Sequence, residues 1–419
     1  LARAISDSTK NKFSAAFQRL WTASASSNLA DGLLKTSAPL LATTLTKDPF
    51  WISTIAALSM LPWLFFAIPI GGLVDRINRR NMLAVANTLR LTAVMIIAVT
   101  VGFDLITLPI LLGAIFIFGV GEVIYDTTLQ SMMPEVLTRD QLDRGNARLQ
   151  IVGITLAEFV DAPLSGLLFA ASIALPFYFG AGGILAAVFL VLSIPRAYSI
   201  APVSVQPKEK TGFWEDVRFG IRYLYEDKTL LKVVLLTSSI GFFFAASSST
   251  MVLFMTETLK TPVALFGFLF AAPAVGALVG SVITPKVSAR FGRTTTMAWS
   301  ILTSSLLVVI QGFSPNYWVL AALVTLGSMV ITGWNILLMS SYHQIIPAEL
   351  FGRIHGTRRT LVWGLMPVGS LLGGALASID LRLPFIAGGL ACSILALLGF
   401  RFIVNLEKSW INKESSEVN

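Results

Sequence analysis

Apolar residues fall along this chain in twelve blocks, most of them roughly 20 to 30 positions long and each closed by charged or turn-forming residues. A helix needs about 20 residues to cross a hydrocarbon core of about 30 Å. The pattern therefore predicts membrane helices near 16–45, 50–74, 81–103, 107–133, 146–172, 175–196, 229–258, 263–287, 294–313, 317–346, 355–379 and 383–405. The longest polar interval, about 197–228, divides them six and six, and in its later part Trp214, Val217, Ile221 and Leu224 share one face of an amphipathic helix. The two sides echo each other. Pro49 and Pro262 each open an even-numbered helix, Arg76 and Arg79 recur as Arg290 and Arg293, and Pro134 recurs as Pro347, at displacements of 213, 214, 214 and 213. So constant a displacement predicts an all-α integral membrane protein of two pseudo-symmetric six-helix bundles, residues 1–196 and 229–419, joined by a linker at 197–228.

Composition identifies the solvent. Only 13% of the 419 residues are charged and 55% are hydrophobic, against roughly 25% charged in soluble domains, and mean hydropathy is +0.75. The lipid bilayer is the expected surrounding partner. The net charge of +8 does not point to nucleic acid, because the basic residues are scattered among short loops. The junctions after odd-numbered helices hold only Lys47, Lys260 and Arg382, whereas those after even-numbered helices hold many more, Arg139, Arg144, Lys286 and Arg358 among them. Basic loops mark the cytoplasmic side. The expectation is a multi-pass protein of the cell (plasma or inner) membrane, monomeric, with both termini and the linker in the cytoplasm. The sequence opens at Leu1, so its true start is expected upstream, and the polar opening stretch without a cleavage site argues against a removable signal peptide. The single cysteine, Cys392, permits no internal disulfide. No Cys or His cluster has metal-ligand spacing, His343 and His355 read as structural, and no G-x-x-x-x-G-K-[ST] loop or nucleophile–base set is present. Neither a metal, a cofactor nor an enzymatic activity is expected.

Charges inside the spans carry the most information, since each costs roughly 2.5–3.5 kcal/mol at the membrane centre on insertion scales. They must face protein or water. Ser24, Asn28, Asp31 and Lys35 recur at steps of four, three and four; Glu122, Asp126 and Gln130 at four; Glu158, Asp161 and Ser165 at three and four. Such steps place each set on one stripe of the first, fourth and fifth helices. Five acids thus stand in the N-terminal half against the intramembrane bases Lys35 and Arg90. Desolvation and crowding of like charges favour a neutral acid, which makes Asp31, Glu122, Glu158 and Asp161 candidates for proton coupling. For Asp31 and Glu122 direct contact with a solute stays open, and Asp31 is also placed to pair with Lys35. Asp126, nearer the cytoplasmic end, is expected to meet a loop arginine as a gate.

The C-terminal half offers a different wall. Ser328, Thr332, Asn335, Met339 and Tyr342 share a stripe on the tenth helix with Trp334 beside it, and Ser239, Phe243, Thr250 and Phe254 share one on the seventh. An acidic wall opposite an aromatic and hydroxyl wall suits a small amphipathic solute, including a cationic one. Asn28, Lys35, Phe243, Trp334, Asn335 and Met339 are the cavity candidates, although each aromatic position also suits plain core packing.

The junction after the second helix reads Gly71-Gly72-Leu73-Val74-Asp75-Arg76-Ile77-Asn78-Arg79-Arg80. It resembles the G-x-L-A-D-R-x-G-R-R signature of the major facilitator superfamily, with Asn78 in the place of a glycine, a substitution expected to keep a left-handed backbone there. Its counterpart Lys286-Val287-Ser288-Ala289-Arg290-Phe291-Gly292-Arg293 keeps the bases and lacks the acid. The resemblance implies the major facilitator fold and a cytoplasmic latch that opens and closes during transport, here Gly72, Asp75, Arg76, Arg79, Arg80, Arg290 and Arg293, with Asp126 as a gate. Phe219-Gly220-Ile221-Arg222-Tyr223-Leu224, and Pro134-Glu135 with Arg144-Gly145-Asn146-Ala147, are similar to the branch of macrolide and enterobactin exporters among drug:proton antiporters. Ala162-Pro163-Leu164-Ser165-Gly166 resembles the antiporter motif of the fifth helix. Together these imply a secondary active transporter, proton-coupled, that exports small amphipathic molecules such as drugs or siderophores by alternating access. Uptake, movement of a lysophospholipid-like substrate, and a non-transporting receptor or scaffold are the competing readings; the buried acids speak against the last.

Overall fold

The computed structural model describes residues 13–74, 77–138, 141–195, 222–345 and 351–406. Twelve long helical segments lie among these residues: α1 (Ala15–Leu45), α2 (Pro49–Val74), α3 (Arg79–Gly102), α4 (Leu108–Val136), α5 (Leu142–Thr155, continuing through Leu156–Asp161 into Ala162–Ala171), α6 (Leu175–Leu192), α7 (Lys228–Ser248, resuming after a turn to reach Thr258), α8 (Val263–Phe291), α9 (Arg293–Gly312), α10 (Tyr317–Ile345), α11 (Phe351–Ala377) and α12 (Leu383–Val404). Lipid offers no partner to a backbone N–H or C=O, so helices that satisfy their own backbone are the available solution. Proline opens α4, α6 and α12, where its missing N–H is harmless.

Among the described residues, ten helices are long and apolar enough to cross a membrane. The two that fall short are α1 and α5, the helices bearing Ser24–Lys35 and Glu158–Ser165. In α1 the polar stripe depresses the hydropathy, whereas in α5 the apolar stretch Phe159–Ala171 is short. Midway along α5 the hydrogen-bond ladder widens into a π-helical turn over Leu156–Asp161, just before Pro163. Proline cannot donate to the preceding turn, and the i→i+5 register absorbs the mismatch. A second π turn, Phe254–Thr258, closes α7.

The chain packs as two units. Unit 1 contains the described residues of Leu1–Ala38 and Phe65–Lys208; unit 2 contains Pro39–Leu64 and the described residues of Glu209–Asn419. In unit 1, α3 packs on α4 and α6; in unit 2, α9 packs in the same way on α10 and α12, and α7 packs on α11 and α12. The core of unit 1 gathers Phe17, Leu20, Leu83, Tyr125, Met132 and Val191, and that of unit 2 gathers Val234, Met297, Ile301, Trp334, Tyr342 and Ile403. Of the expected linker face, Leu224 lies in a helical stretch and is buried in the unit 2 core. Trp214, Val217 and Ile221 lie outside the described residues.

The motif junctions correct one expectation. Asn78 does not take a left-handed backbone: its φ is −58° and its Oδ1 accepts from the Asn81 N–H at 3.1 Å, so it caps α3. Gly292, its counterpart 214 positions on, has φ +84° and starts α9 without a side-chain cap. One half turns the corner with a capping side chain and the other with glycine's conformational freedom.

Helix α8 meets α10 at closest approach through Gly276 and Gly280, spaced as small-x-x-x-small. A Cβ on Gly280 would lie 2.2 Å from the Met329 carbonyl oxygen, and one on Gly276 would lie 2.1 Å from that of Thr325. Gly280→Val is expected to push α8 off α10 and destabilise the protein by about 1–3 kcal/mol; thermal unfolding of the purified variant in detergent is the check, and an unshifted midpoint would refute this account of the contact.

Candidate functional site

In unit 1 the polar stripes of α1 and α4 meet the buried face of α3, and that of α5 meets α1. Arg90 on α3 is fully buried and forms an ion pair with Asp31 on α1. Its Nη1 also donates to Ser27 Oγ at 2.6 Å and to Asn87 Oδ1 at 3.2 Å, while Ser27 Oγ donates to Asn87 Oδ1 at 3.1 Å. The guanidinium lies 5.0 Å from the Phe118 ring centre and 4.8 Å from that of Tyr125. An arginine in this setting is held by charge, hydrogen bonds and aromatic faces together. The sequence marked Arg90 only as an intramembrane base; its role as a hub depends on α1 and α4 closing over it.

One turn along α1, Lys35 Nζ lies 2.6 Å from Glu122 Oε1 on α4. The Asp31–Lys35 pairing suggested by spacing is therefore corrected: each base reaches across to another helix. A neighbouring helix offers a shorter path between charged tips than two side chains that both lean toward the N-terminus of α1. Lys35 is 56% exposed while Glu122 is 13% exposed. Lys35 stands ten residues, or about 15 Å, from the end of α1, so the pair lies deep along the helix. Asn28 is half-buried, its amide 3.5 Å from Ser24 Oγ. Asp126 is half-buried one turn beyond Glu122.

Asp161 differs from the other acids. It closes the π turn of α5, is fully buried, and neither carboxylate oxygen has a hydrogen-bond partner among the described residues. It is seated on Gly32 of α1, where a Cβ would lie 2.2 Å from Asp161 Oδ2. Ser165, one turn on, donates to the Leu33 carbonyl at 3.2 Å. The residues of the antiporter-like motif thus fasten α5 to the stretch of α1 between Asp31 and Lys35. The side chain of Glu158 lies outside the described residues.

In unit 2 the expected wall separates into two faces. Asn335 and Met339 are exposed on α10 and Phe243 is half-buried on α7, its ring edge-on to Phe242 with centres 5.0 Å apart. Trp334 is instead 4% exposed within the unit core, and Phe254 is fully buried against Phe385. Positions one apart on a helix diverge by about 100°, so Trp334 turns inward where Asn335 turns out. Tyr342 is buried beneath the Arg358 guanidinium, 4.4 Å from its ring centre. One acid went unremarked in the sequence: Glu257, on the second π turn, pairs with Lys47 at 2.6 Å and with Lys260 at 3.7 Å.

Of the latch residues, Asp75 and Arg76 lie outside the described residues, and Gly72 sits in the last turn of α2. Arg79 pairs with Glu135 at the end of α4, and Arg80 donates to the Leu192 carbonyl at the end of α6, the pole of a helix that favours a cation. Arg293 donates to the Leu337 carbonyl at 3.3 Å, and Arg290 is exposed beside Phe291. These arginines tie α3 to α4 and α6, and α9 to α10.

Residues 12–417 match the transmembrane secretion effector family of the major facilitator superfamily. The chain belongs to that family. It is 26% identical to the multidrug efflux pump Tap of Mycobacterium tuberculosis, over 82% of this chain and 81% of the pump. It is 24% identical to the enterobactin exporter EntS of Shigella boydii, over 94% and 93%. Among solved structures it resembles a variant of the nucleoside transporter NupG, with TM-score 0.75 and 13% identity over 93% of this chain and 99% of that one. It also resembles a bacterial homologue of the iron transporter ferroportin in an inward-facing state, with TM-score 0.74 and 13% identity over 93% and 98%. At such identity these structures speak to the fold alone. This major facilitator protein is a multi-pass membrane transporter and not an enzyme.

The Arg90 hub yields a stability prediction. Arg90→Ala leaves Asp31 buried without its partner and is expected to destabilise the transporter by about 3–5 kcal/mol. Removing both charges, as Asp31→Asn with Arg90→Met, is expected to recover at least half of that. Thermal unfolding of the purified variants is the readout, and a double variant no better than Arg90→Ala would show that the pair is not the source of the effect.

Proposed function

We propose that this transporter is a proton-coupled exporter of small amphipathic molecules, working by alternating access in the cell membrane with both termini in the cytoplasm. The observation that carries the reading is the Asp161 carboxyl. Lys35 and Arg90 each have a carboxylate partner in Glu122 and Asp31, whereas Asp161 is buried with no hydrogen-bond partner for either oxygen among the described residues. A bare carboxylate in such a place is unfavourable, so the group is occupied by a proton while enclosed and releases it once water reaches it. Its seat against Gly32 makes access depend on how α5 lies on α1, and the π turn and Pro163 provide a point at which α5 can bend.

In the proposed cycle a proton from the outer medium neutralises Asp161, and the change to the inward-open state exposes the carboxyl to the cytoplasm, where the proton leaves. The freed carboxylate and the exposed Lys35–Glu122 pair present a polar face to a solute. The names of the relatives, a multidrug efflux pump and an enterobactin exporter, support the outward direction and a bulky, amphipathic cargo. The positive-inside pattern of the loops supports the orientation.

Ethidium, an aromatic cation, is a suitable probe. Inverted vesicles with an acid interior are expected to accumulate it, a protonophore to collapse the accumulation, and Asp161→Asn to reduce it at least tenfold while leaving ethidium exchange at equal concentrations intact. Accumulation that survives both treatments would rule out coupling through Asp161, and accumulation only in right-side-out vesicles would reverse the assigned direction.

A further inference from the structure

Unit 2 holds a partly open cavity of about 280 Å³ among α7, α8, α9, α10 and α12. Its body is apolar, with Phe244, Leu269, Ile301, Val308 and Phe385 among its walls. Several serines also reach it, yet their hydroxyl hydrogens are committed elsewhere. Ser304 and Ser305 donate to the Ile301 carbonyl at 3.0 and 2.7 Å, Ser328 to that of Pro273 at 2.6 Å, and Ser247 to those of Phe243 and Pro384 at 3.0 Å. The wall therefore presents methylene groups and oxygen lone pairs where it looks polar in sequence. Gln311 is the exception: it lines the cavity, the residue is only 7% exposed, and no hydrogen bond from its side-chain amide to protein is found among the described residues. An amide that faces the cavity with idle hydrogens can donate to an acceptor placed there.

We infer that this cavity is a binding site for an apolar bicyclic body carrying one hydrogen-bond acceptor, which the Gln311 amide recognises. Size supports the class: a dry cavity of about 150 Å³ takes benzene, so a space nearly twice as large fits two fused rings. An aromatic body also suits the rings of Phe244 and Phe385, and an acceptor on it would meet the N–H groups of Gln311. The site is distinct from the charged network of unit 1, and no acidic or basic side chain lines it. Binding here needs no ion gradient, so its failure would leave the coupling role of Asp161 standing, and loss of coupling would leave this site standing.

Position 327 permits a blocking substitution. The nearest atom to a Cβ on Gly327 is Gln311 Nε2 at 3.6 Å, so a side chain added there projects toward the amide without striking backbone. Coumarin, a bicyclic lactone, is the probe, measured by equilibrium dialysis against the purified transporter in one detergent so that micelle uptake is common to every sample. Wild type is expected to bind one molecule per chain above that background, Gly327→Leu to abolish the saturable component, and Gln311→Leu to weaken it about tenfold with unchanged thermal stability. Naphthalene, which has the rings without the acceptor, is expected to bind wild type and Gln311→Leu alike. Coumarin binding that is equal in wild type and Gly327→Leu would overturn the inference. So would a saturable site that appears only after removal of phosphatidylcholine, since the occupant would then be a lipid chain.

Discussion

Charge held at membrane depth is the constraint around which unit 1 is built. Arg90 is completely enclosed, and an arginine does not relieve the penalty of burial by losing its proton. It has to be compensated by geometry, and the Asp31 carboxylate, the Ser27 and Asn87 oxygens and two ring faces supply that compensation. Each comes from a particular turn of α1, α3 or α4, so fixing Arg90 fixes the rotation of those helices. The apolar contacts around them are less selective, because Leu, Val and Phe pack acceptably at many angles.

The acids that remain are sorted by the same rule. Glu122 has the Lys35 ammonium within 2.6 Å, whereas Asp161 feels Lys35 only at a distance and has no hydrogen-bond donor among the described residues. Two carboxylates on neighbouring helices thus acquire opposite characters from their surroundings alone. The π turn is part of this arrangement, since it sets the rotation of Asp161 relative to Pro163 and Ser165 and lets the carboxyl rest against the bare backbone of Gly32. A larger residue on α1 at that point would occupy the space that the acid fills.

Unit 2 answers the membrane differently. It carries few charges within its helices and relies on close approach: α8 against α10 through paired glycines, and serines that return their hydrogens to nearby carbonyls. This leaves a cavity wall that is hydroxyl-rich in composition yet largely apolar in behaviour. The two units share a helix pairing, α3 on α4 and α6 as α9 on α10 and α12, and differ in the chemistry of their interiors.

The twelve segments and the major facilitator family were legible along the chain, because hydrophobic length and the spacing of Asp75, Arg76, Arg79 and Arg290 are local properties. Periodicity also placed Asp31, Lys35, Glu122 and Asp161 on inward stripes, since a step of three or four residues defines a helix face without reference to neighbours. Which charge meets which was a tertiary decision. Spacing favoured Asp31 with Lys35, and the packing of α3 and α4 against α1 paired them with Arg90 and Glu122 instead. Likewise Trp334 and Asn335 are adjacent in sequence, yet only the helices around α10 determine that one fills the core and the other stays exposed. A sequence specifies faces; the partners facing them, and so the residual charge and space that a transporter can use, exist only once the helices have closed on one another.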